Sequence, residues 1–413
     1  MDAEIITIGD ELITGHTIDT NGPFLARHLT DIGIAVKHSS SVGDSHEMIQ
    51  EAIRHAWRRS KIIIVTGGLG PTDDDITKKA IVKVFRRNLI FHEEILDDLK
   101  SRFAQRGIDM PAINQNQALL PQGATFFRND IGSALGICIA EEGRVFIALP
   151  GVPSEAEQIM VDEVVPYLRK LRNQRRLTVV KLRTTGIFES RLSELIGPQT
   201  KLPGGVKLAY LPSYGGVDLR IIADGDTAEE AAGRANELAR ELQAKCGKYI
   251  YGRDDDTLEG VVGQLLRDND KTMAVAESCT AGQLGMLVTA ASGSSDYFLG
   301  GMIAYANQVK IDKLAIPTEI IDKHGAVSEE CALAMAQGCR QVFGSDYALS
   351  VTGIAGPTGG SDDKPVGTTW IGLASAHTDT ARLFNFGKTR AINRARAAYA
   401  ALEMLRREIL DIK

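Results

Sequence analysis

A serine that could act as a nucleophile follows a short apolar segment in the last third of the chain. Residues 273–276 are all apolar and predict a strand, and Ser278 follows in the sequence Glu-Ser-Cys-Thr-Ala-Gly. At the start of a helix, a serine hydroxyl lies beside backbone N–H groups, which can stabilise a developing oxyanion. Serine is also a favoured N-cap, so the position suits a purely structural cap as well. The pattern predicts a loop that presents Ser278 at a helix N-terminus.

Activation of this serine requires a base, and the last third of the chain contains only His324 and His377 as histidines. Lys310 is a candidate base, because burial would disfavour its ammonium form and lower its pKa. Tyr305 could relay a proton or hold the geometry. Both residues also have ordinary explanations, a solvated lysine and a core tyrosine with a wet hydroxyl. Cys279 is the alternative nucleophile, since thiolates are intrinsically strong nucleophiles.

Glycine-rich turns after predicted strands are candidate phosphate sites, because their backbone N–H groups suit phosphate oxygens. Gly9 follows the first apolar run, and Thr-Gly-Gly-Leu-Gly at 66–70 follows a β-branched run. In the last third, Thr-Gly-Ile-Ala-Gly-Pro at 352–357 follows another strand. Arg390 and Arg394 could add bidentate phosphate contacts from a later helix, or form an ordinary charged helix face.

Acidic residues follow the loop at 66–70 directly. Asp74 and Asp75 are adjacent carboxylates, which fit a Mg²⁺-type ion bridging a pyrophosphate because hard cations prefer oxygen ligands. A solvated acidic turn, with Asp75 capping the next helix, explains the same pattern without a ligand. The loop lacks the Gly-Lys-Ser/Thr of a P-loop, so it is not a Walker A motif.

The elements that must position these residues alternate between strands and helices. In the first third and from 271 onward, apolar runs, glycine loops and helical segments succeed one another in the βαβ order of a parallel sheet. Between them, 172–252 has the order strand-helix-strand-strand-helix-strand, which is the split βαβ, ferredoxin-like pattern. The sequence therefore predicts the α/β class with three domains, at 1–171, 172–252 and 253–413.

Length, composition and charge restrict the class of protein. With 47 Lys+Arg against 53 Asp+Glu, the net charge of −6 argues against a dedicated nucleic-acid binder. No apolar segment reaches the roughly 18–20 residues of a membrane helix, and the start shows no secretory signal. The five cysteines are widely spread without a CxxC pair, which argues against zinc and a disulfide framework. We expect a cytoplasmic protein with reduced thiols.

Four segments of the first domain, 9–21, 66–77, 114–124 and 149–155, resemble the molybdopterin-binding (MoCF-type) domain of the CinA family. The resemblance implies a three-layer α/β domain that binds nucleotides, and in some members hydrolyses ADP-ribose with a divalent metal ion. The implied nucleotide-binding residues are Gly9, Asn21, Gly67, Gly68, Gly70 and Thr72. The implied metal or acid residues are Asp10, Glu11, Asp44, Asp74 and Asp75.

Five segments of the last domain, 276–280, 293–295, 305–310, 324–328 and 352–357, resemble the C-terminal nicotinamide mononucleotide amidohydrolase domain of the same family. The resemblance implies a second α/β domain that needs no cofactor for this reaction. By the same resemblance Ser278 is the nucleophile, Lys310 the base and Tyr305 an assisting residue. The implied substrate-binding residues are Thr280, Gly282, Asn307, Thr352, Gly353, Gly356, Arg390 and Arg394.

The chain departs from the family pattern at two places. Ala281 stands where the family usually has the first of two glycines, so it could narrow the pocket or shift an oxyanion donor. Residues 386–390 read Phe-Gly-Lys-Thr-Arg instead of the usual Gly-Asp-Arg. The second departure makes the phosphate-binding role of Arg390 less secure.

Three classes of function follow. The leading hypothesis is an amidase that converts nicotinamide mononucleotide to nicotinate mononucleotide and ammonia. Metal-dependent pyrophosphate hydrolysis of ADP-ribose in the first domain can coexist with it. The third is a pterin-, nucleotide- or nucleic-acid-binding protein without catalysis, suggested by the basic run at 169–183, although that run lacks the aromatic residues that stack bases. The resemblance also suggests a homodimer.

Overall fold

The computed structural model describes residues 2–72, 74–171, 176–198 and 202–412. They divide into two compact units, Met1–Thr178 with Gly225–Ala228, and Val179–Asp224 with Glu229–Lys413. The second unit contains most of the predicted middle domain and all of the last one, so the division into three domains stays a prediction. Residues 172–175, at the first predicted boundary and within the basic run, lie outside the described part.

The described residues of the first unit form a mixed sheet in the order β2-β1-β3-β8-β7-β6. Its first four strands are parallel, and β7 and β6 are antiparallel to their neighbours. A small antiparallel pair, β4 with β5, lies apart from this sheet. The strands are β1 (Asp2–Ile8), β2 (Ala35–Val42), β3 (Ile62–Thr66), β4 (Leu89–Phe91), β5 (Leu119–Pro121), β6 (Thr125–Phe127), β7 (Gly136–Glu141) and β8 (Arg144–Leu149).

Helices cover both faces of this sheet, which gives the expected three layers. Alternate side chains of β3 enter two separate cores, with Ile64 on one face and Ile63 and Val65 on the other. Such a strand is buried on both faces, which explains its continuous β-branched sequence. The helices are α1 (Asp10–Ile13), α2 (Asn21–Asp31), α3 (His46–Arg59), α4 (Thr77–Val84), α5 (Glu93–Gln105), α6 (Pro153–Ile159) and α7 (Val165–Leu171), with a 3-10 helix at Ala112–Ala118 and a π-helical turn at Met160–Val164.

The second unit begins with a small sheet in the order β10-β11-β9-β12. Read from the other edge, the order is β12-β9-β11-β10, that is, the fourth, first, third and second strands of this region. This is the predicted ferredoxin-like order. Alternate residues of β11, such as Leu219 and Ile221, are buried against the two helices. The elements are β9 (Arg176–Thr184), α8 (Glu189–Ile196), β10 (Val206–Pro212), β11 (Val217–Gly225), α9 (Ala228–Cys246) and β12 (Ile250–Arg253).

The rest of the unit is a second mixed sheet in the order β14-β13-β15-β16-β17. Because β13 is parallel to both of its neighbours, the loops that follow β13, β14 and β15 meet at one edge of the sheet. Helices cover both faces. The elements are α10 (Leu258–Asp268), β13 (Met273–Glu277), α11 (Gln283–Ala290), β14 (Phe298–Ile303), α12 (Asn307–Leu314), α13 (Thr318–His324), α14 (Glu329–Phe343), β15 (Tyr347–Gly353), β16 (Thr368–Ala374), β17 (Asp379–Asn385) and α15 (Arg390–Ile409).

Candidate active sites

Ser278 and Lys310 form a buried hydrogen-bonded pair at the edge of the β14-β13-β15-β16-β17 sheet where the loops after β13, β14 and β15 meet. Ser278 directly follows β13, and its N–H donates to the carbonyl oxygen of Val351 in β15 at 2.9 Å. Lys310 lies in the first turn of α12, and its Nζ is 3.2 Å from Ser278 Oγ. Lys310 is 1% exposed and Ser278 is 9% exposed, so water is largely kept from the pair.

The surroundings of Lys310 suit a base. Its Nζ donates to the carbonyl oxygens of Ala304 at 2.8 Å and Tyr305 at 3.1 Å. A neutral amine has two hydrogens for these carbonyls and one lone pair, which then faces the hydroxyl of Ser278. Burial lowers the pKa of Lys310, which favours this neutral form. The arrangement can therefore accept the proton of Ser278.

The prediction that Ser278 lies at a helix N-terminus is wrong. Helix α11 begins at Gln283 with Gly282 as its N-cap, and turns occupy the residues between Ser278 and the helix. The N–H groups of Gly282, Leu284 and Gly285 donate to the carboxylate of Glu277 at 2.8–3.0 Å. Because these donors are already occupied, the helix start does not offer them to an oxyanion, and Ser278 is not its cap.

The loop after Ser278 contains an alanine in a conformation that favours glycine. Ala281 has φ +49° and Gly282 has φ +94°, both in the left-handed region. An alanine there costs roughly 1–2 kcal/mol, because its Cβ approaches a neighbouring carbonyl oxygen. The N–H of Ala281 donates back to the carbonyl oxygen of Ser278 at 3.2 Å, which closes the turn. The substitution therefore leaves the loop in a glycine-like conformation at a cost in strain.

The two predicted arginines make different contacts. Arg394 donates from Nε at 3.1 Å and Nη2 at 2.7 Å to the carbonyl oxygen of Thr280, so its described bonds anchor the serine loop. Arg390 begins α15 and is exposed; its Nη1 donates to the carbonyl oxygen of Gly356 at 3.1 Å. Its Nη2 lies 3.5 Å from the hydroxyl of Tyr305. Of the two, Arg390 is the one that remains open to a ligand.

Tyr305 is 58% exposed and meets Lys310 through its carbonyl oxygen rather than its hydroxyl. Asn307 is also exposed, at the first residue of α12. Thr352 is buried, and its hydroxyl donates to the carbonyl oxygen of Ala326 at 2.7 Å. Gly353 ends β15, at the same sheet edge as Ser278. Within the described chain the hydroxyl of Thr280 is buried and lacks a hydrogen-bond partner.

Cys279 is poorly suited to act as the nucleophile. It is 7% exposed, and burial raises the pKa of its thiol to about 11. A reactive cysteine requires a lowered pKa, because the thiolate is the attacking species. All five cysteines of the chain are buried and unpaired. These features favour Ser278 over its neighbour.

The second candidate site is a cleft of about 280 Å³ at the carboxyl ends of β1 and β3. Its walls contain most of the residues that the sequence singled out in the first domain. Those residues are Gly9, Glu11, Asn21, Asp44, Gly67, Gly68, Asp74 and Asp75, together with Thr66 and Gly151 among others. Asp10, Gly70 and Thr72 do not line the cleft. Asp10 lies between Gly9 and Glu11, which do, while Gly70 packs against Asp75 and Thr72 is hydrogen-bonded to it.

Close packing requires glycine in the loop that lines the cleft. Gly67 has φ +115°, and a Cβ there would overlap the carbonyl oxygen of Ile8 in β1. Gly68 has φ +65°, and a Cβ would overlap the hydroxyl of Thr77 in α4. The hydroxyl of Thr77 in turn donates to the carbonyl oxygen of Gly67 at 2.9 Å. The loop is thus fixed between β1 and α4.

Several carboxylates line or adjoin the cleft. Asp10 and Asp44 each accept from the other's backbone N–H, at 3.0 and 2.9 Å. Burial raises the pKa of Asp44, and the neighbouring charges of Asp10, Glu11 and Asp75 raise it further, against the hydrogen bond from Asp10. The cleft therefore concentrates negative charge before any ligand is present.

Asp75 closes its own turn rather than capping the helix that follows. Its Oδ2 accepts from the N–H of Thr72 at 3.0 Å and from the Thr72 hydroxyl at 2.6 Å. Helix α4 has Ile76 as its N-cap and no side-chain cap bond, so the alternative interpretation of Asp75 as a cap is wrong. Within the described residues, which omit Asp73, no three acidic, histidine or cysteine side chains converge closely enough to hold a metal ion by themselves.

Asn21 brings an amide to the floor of the cleft and is 8% exposed. Its Nδ2 donates to the hydroxyl of Thr66 and to the carbonyl oxygen of Gly151, both at 2.9 Å. These two bonds fix the orientation of the amide. Its Oδ1 has no partner in the described part of the chain.

Sequence comparison identifies the family of the chain. Three family models match the chain: a probable molybdopterin binding domain over 4–170, the damage-inducible protein CinA KH domain over 181–252, and the CinA C-terminal domain over 255–409. A CinA-like protein of Gemmatimonas aurantiaca is 43% identical, over 98% of this chain and 96% of its own. One of Cytophaga hutchinsonii is 40% identical, over 100% and 99%. This chain belongs to the CinA family.

Solved structures of CinA relatives correspond to part of the chain. The protein CinA with unknown function from Thermoplasma acidophilum is 31% identical, with a TM-score of 0.38, over 41% of this chain and 98% of its own. The competence/damage-inducible protein from Agrobacterium tumefaciens is 32% identical, with a TM-score of 0.35, over 36% and 94%. Among the described helices, none is both long and apolar enough to cross a membrane.

Membership of the CinA family was predicted from the motifs, but two features around the sites were not. The middle region has the predicted ferredoxin-like strand order, but the motifs did not identify it as a KH domain. Nor did they single out Glu277, whose buried carboxylate holds the start of α11. A charged residue at the end of an apolar run, Met-Ala-Val-Ala-Glu, was the available signal.

Proposed function

We propose that the C-terminal region hydrolyses the carboxamide of nicotinamide mononucleotide, giving nicotinate mononucleotide and ammonia. The observation that carries this proposal is the buried contact of 3.2 Å between Lys310 Nζ and Ser278 Oγ. A serine paired with a desolvated lysine is an arrangement for acyl transfer. Family membership makes this reaction the one to test first.

In the proposed reaction, neutral Lys310 takes the proton of Ser278 while Oγ forms a bond to the carboxamide carbon. The carbon–nitrogen bond then breaks, ammonia leaves with the proton from Lys310, and the nicotinoyl group remains as an ester on Ser278. A water molecule, deprotonated by Lys310, attacks the ester, and the serine oxygen leaves with that proton. The cationic pyridinium ring withdraws electrons from the carbonyl carbon, which lowers the demand on the nucleophile.

Substrate recognition is proposed for residues at the same sheet edge. The N–H groups of Cys279 and Thr280 form no bond to a backbone carbonyl in the described chain, so they are the candidates for the oxyanion. The exposed guanidinium of Arg390 would bind the phosphate, and Tyr305 would orient that arginine. Arg394 would act through the loop, because its bonds go to Thr280.

The test measures ammonia and nicotinate mononucleotide produced from nicotinamide mononucleotide. We expect Ser278→Ala to reduce turnover by about 1,000-fold or more, because the covalent step is lost. Cys279→Ala, beside it, serves as the matched control and should keep turnover within about threefold of wild type. Equal turnover in wild type and Ser278→Ala would contradict the assignment.

We further propose that the N-terminal cleft hydrolyses the pyrophosphate of ADP-ribose with a divalent metal ion. The supporting observation is the group of carboxylates around Asp44, whose mutual repulsion a cation would relieve. The oxygen-only donor set fits a hard cation, which would polarise the phosphates. One or two carboxylates among Asp44, Asp74 and Asp75 would hold it, and because no three acidic groups converge in the described chain, phosphate oxygens of the ligand would complete the site.

The measurement for this second activity is AMP release from ADP-ribose with Mg²⁺, with and without excess EDTA. Loss of activity in EDTA is the expected result. Activity that persists in EDTA would contradict a metal role for these carboxylates. A homodimer and a cytoplasmic location remain expectations from the resemblance and the composition, and nucleic acid is not a proposed partner.

A further inference from the structure

Lys78 is a buried lysine that neither proposed reaction uses. It lies in the first turn of α4 and is 7% exposed. Burial lowers the pKa of Lys78 to about 8, while the nearby carboxylate of Asp75 acts in the opposite direction. Burying an ammonium group costs free energy unless hydrogen bonds compensate for the lost hydration, so the partners of Lys78 indicate what it holds in place.

The partners of Lys78 belong to the 3-10 helix at 112–118. Nζ donates to the carbonyl oxygen of Asn116 and to Oε1 of Gln117, both at 2.9 Å. Gln117 is 1% exposed, and its Nε2 donates to the carbonyl oxygen of Leu69 at 3.0 Å. The amide of Asn116 reaches the carbonyl oxygen of Pro71 at 3.4 Å. The 3-10 helix thus links Lys78 to the glycine loop at 67–71, which contributes Gly67 and Gly68 to the lining of the N-terminal cleft.

Helix α4 consequently holds the glycine loop from two directions. Thr77, next to Lys78, donates from its hydroxyl to the carbonyl oxygen of Gly67 at 2.9 Å and from its N–H to that of Gly68 at 3.1 Å. The second half of the loop is held through Gln117 and Asn116. Carbonyl oxygens that point back toward these donors leave the opposite side of the loop for a ligand.

We propose that Lys78 is a positioning residue for the N-terminal phosphate site, and that it fixes the loop at 67–71 through Gln117 and Asn116. For its ligand the inference rests on the proposed binding of ADP-ribose. For the loop itself it rests on the contacts alone. The Asn-Gln-Asn-Gln segment at 114–117 is thus the connector between the lysine and the loop.

Hydrogen–deuterium exchange of the full chain tests the positioning without any ligand. In Lys78→Met, amides at 66–72 and 112–118 should exchange at least about tenfold faster than in wild type, because the bonded carbonyl and amide groups lose their donor. Lys79→Met is the matched control, since Lys79 is the exposed neighbour, and its exchange should match wild type. Unchanged exchange at 66–72 in Lys78→Met would overturn the proposal.

Calorimetric binding of ADP-ribose in the presence of Mg²⁺ tests the consequence for the ligand. We expect at least about tenfold weaker binding in Lys78→Met and Gln117→Leu, with no further loss in the double variant, because both break one connection. Lys78→Arg should restore most of the affinity. Additive losses, or wild-type affinity in Lys78→Met, would contradict the proposal.

Two outcomes separate this inference from the proposed function. If the wild-type chain does not bind ADP-ribose, the N-terminal function fails, and the exchange experiment still decides whether Lys78 holds the loop. If Lys78→Met does not fold, Gln117→Leu breaks the same connection at its other end and replaces it in both experiments. In that case unchanged exchange at 66–72 in Gln117→Leu overturns the proposal.

Discussion

The two candidate sites differ in how complete they are before a ligand binds. In the C-terminal region, Ser278 and Lys310 are buried, in contact and provided with hydrogen-bond partners. In the N-terminal cleft, like charges face one another and Asn21 has an acceptor without a donor in the described chain. The two groups of the first site are already in contact, whereas the second site brings like charges together. A reaction carried out by the protein's own side chains requires those side chains to be held in place before the substrate binds. A site that uses a cation can instead obtain its remaining ligands from the substrate.

The largest expected effect concerns the preassembled pair. Lys310→Met should lower amidase turnover by about 10²–10⁴-fold, the usual contribution of a general base. In wild type, turnover should rise with pH as Lys310 loses its proton, and the midpoint should fall below the ordinary lysine pKa because burial lowers the pKa of Lys310. Turnover against pH, with the exposed Lys313→Met as control, provides the measurement.

A flat pH profile in wild type, together with normal turnover in Lys310→Met, would remove the contrast between the sites. Thermal unfolding of each variant should be measured together with its turnover, because Lys310 also donates to two carbonyl groups and its loss could destabilise the fold. Loss of activity in a variant that remains folded is the result that assigns the effect to chemistry.

The second effect concerns the incomplete site. Asp44→Asn should weaken binding of ADP-ribose with Mg²⁺ by about tenfold, because one cation ligand loses its charge. The same change relieves repulsion by Asp10 and Glu11, so the free variant should unfold no more readily than wild type. Calorimetry and thermal unfolding, with the exposed Asp97→Asn as control, measure the two quantities. Tighter binding in Asp44→Asn would show that the cleft is not a cation site.

A third effect distinguishes the scaffold of the first site from its reacting groups. Glu277→Gln should lower the free energy of unfolding by about 2–3 kcal/mol, because a buried carboxylate that accepts three N–H bonds loses charge and one acceptor. Denaturant unfolding of Glu277→Gln and of the exposed Glu319→Gln gives the comparison. Equal stability of the two variants would mean that the hydrogen bonds from the start of α11 to the Glu277 carboxylate do not stabilise the fold.

The smallest effect concerns Ala281. Ala281→Gly should raise the free energy of unfolding by about 0.5–1 kcal/mol, since relief of the left-handed strain exceeds the added flexibility of the unfolded chain. Denaturant unfolding of wild type and variant measures the difference. A destabilised Ala281→Gly would indicate that the alanine methyl group contributes packing that outweighs the strain.

Motifs and periodicity were sufficient to predict the α/β class and the ferredoxin-like order. They also made Ser278 and Lys310 candidates for one site, because the loops after neighbouring parallel strands meet at one sheet edge. The roles of nucleophile and base came from the family resemblance. The start of α11 could not be predicted in the same way. It depends on the left-handed backbone at Ala281 and Gly282, and an alanine gives no signal for that conformation.

Long-range contacts explain the other differences. Asp75 looked like a helix cap from its position, but its carboxylate bonds to Thr72. Nothing in the local sequence distinguishes Lys78 from its neighbour Lys79, and only the contacts with Asn116 and Gln117 set it apart. The five carboxylates predicted for a metal come from three separate segments, so their spacing in the sequence could not reveal whether they converge.

The buried thiol of Cys279 offers a way to time the movement of the serine loop. Because every cysteine is buried in the folded chain, an alkylating reagent can react with one only after a local opening. Mass spectrometry can identify which thiol was modified, so the labelling rate at Cys279 would report how often the residues beside Ser278 separate from the core. A substrate that closes this loop would slow the labelling of Cys279, while the labelling rate of Cys246, in the middle of the chain, would stay unchanged.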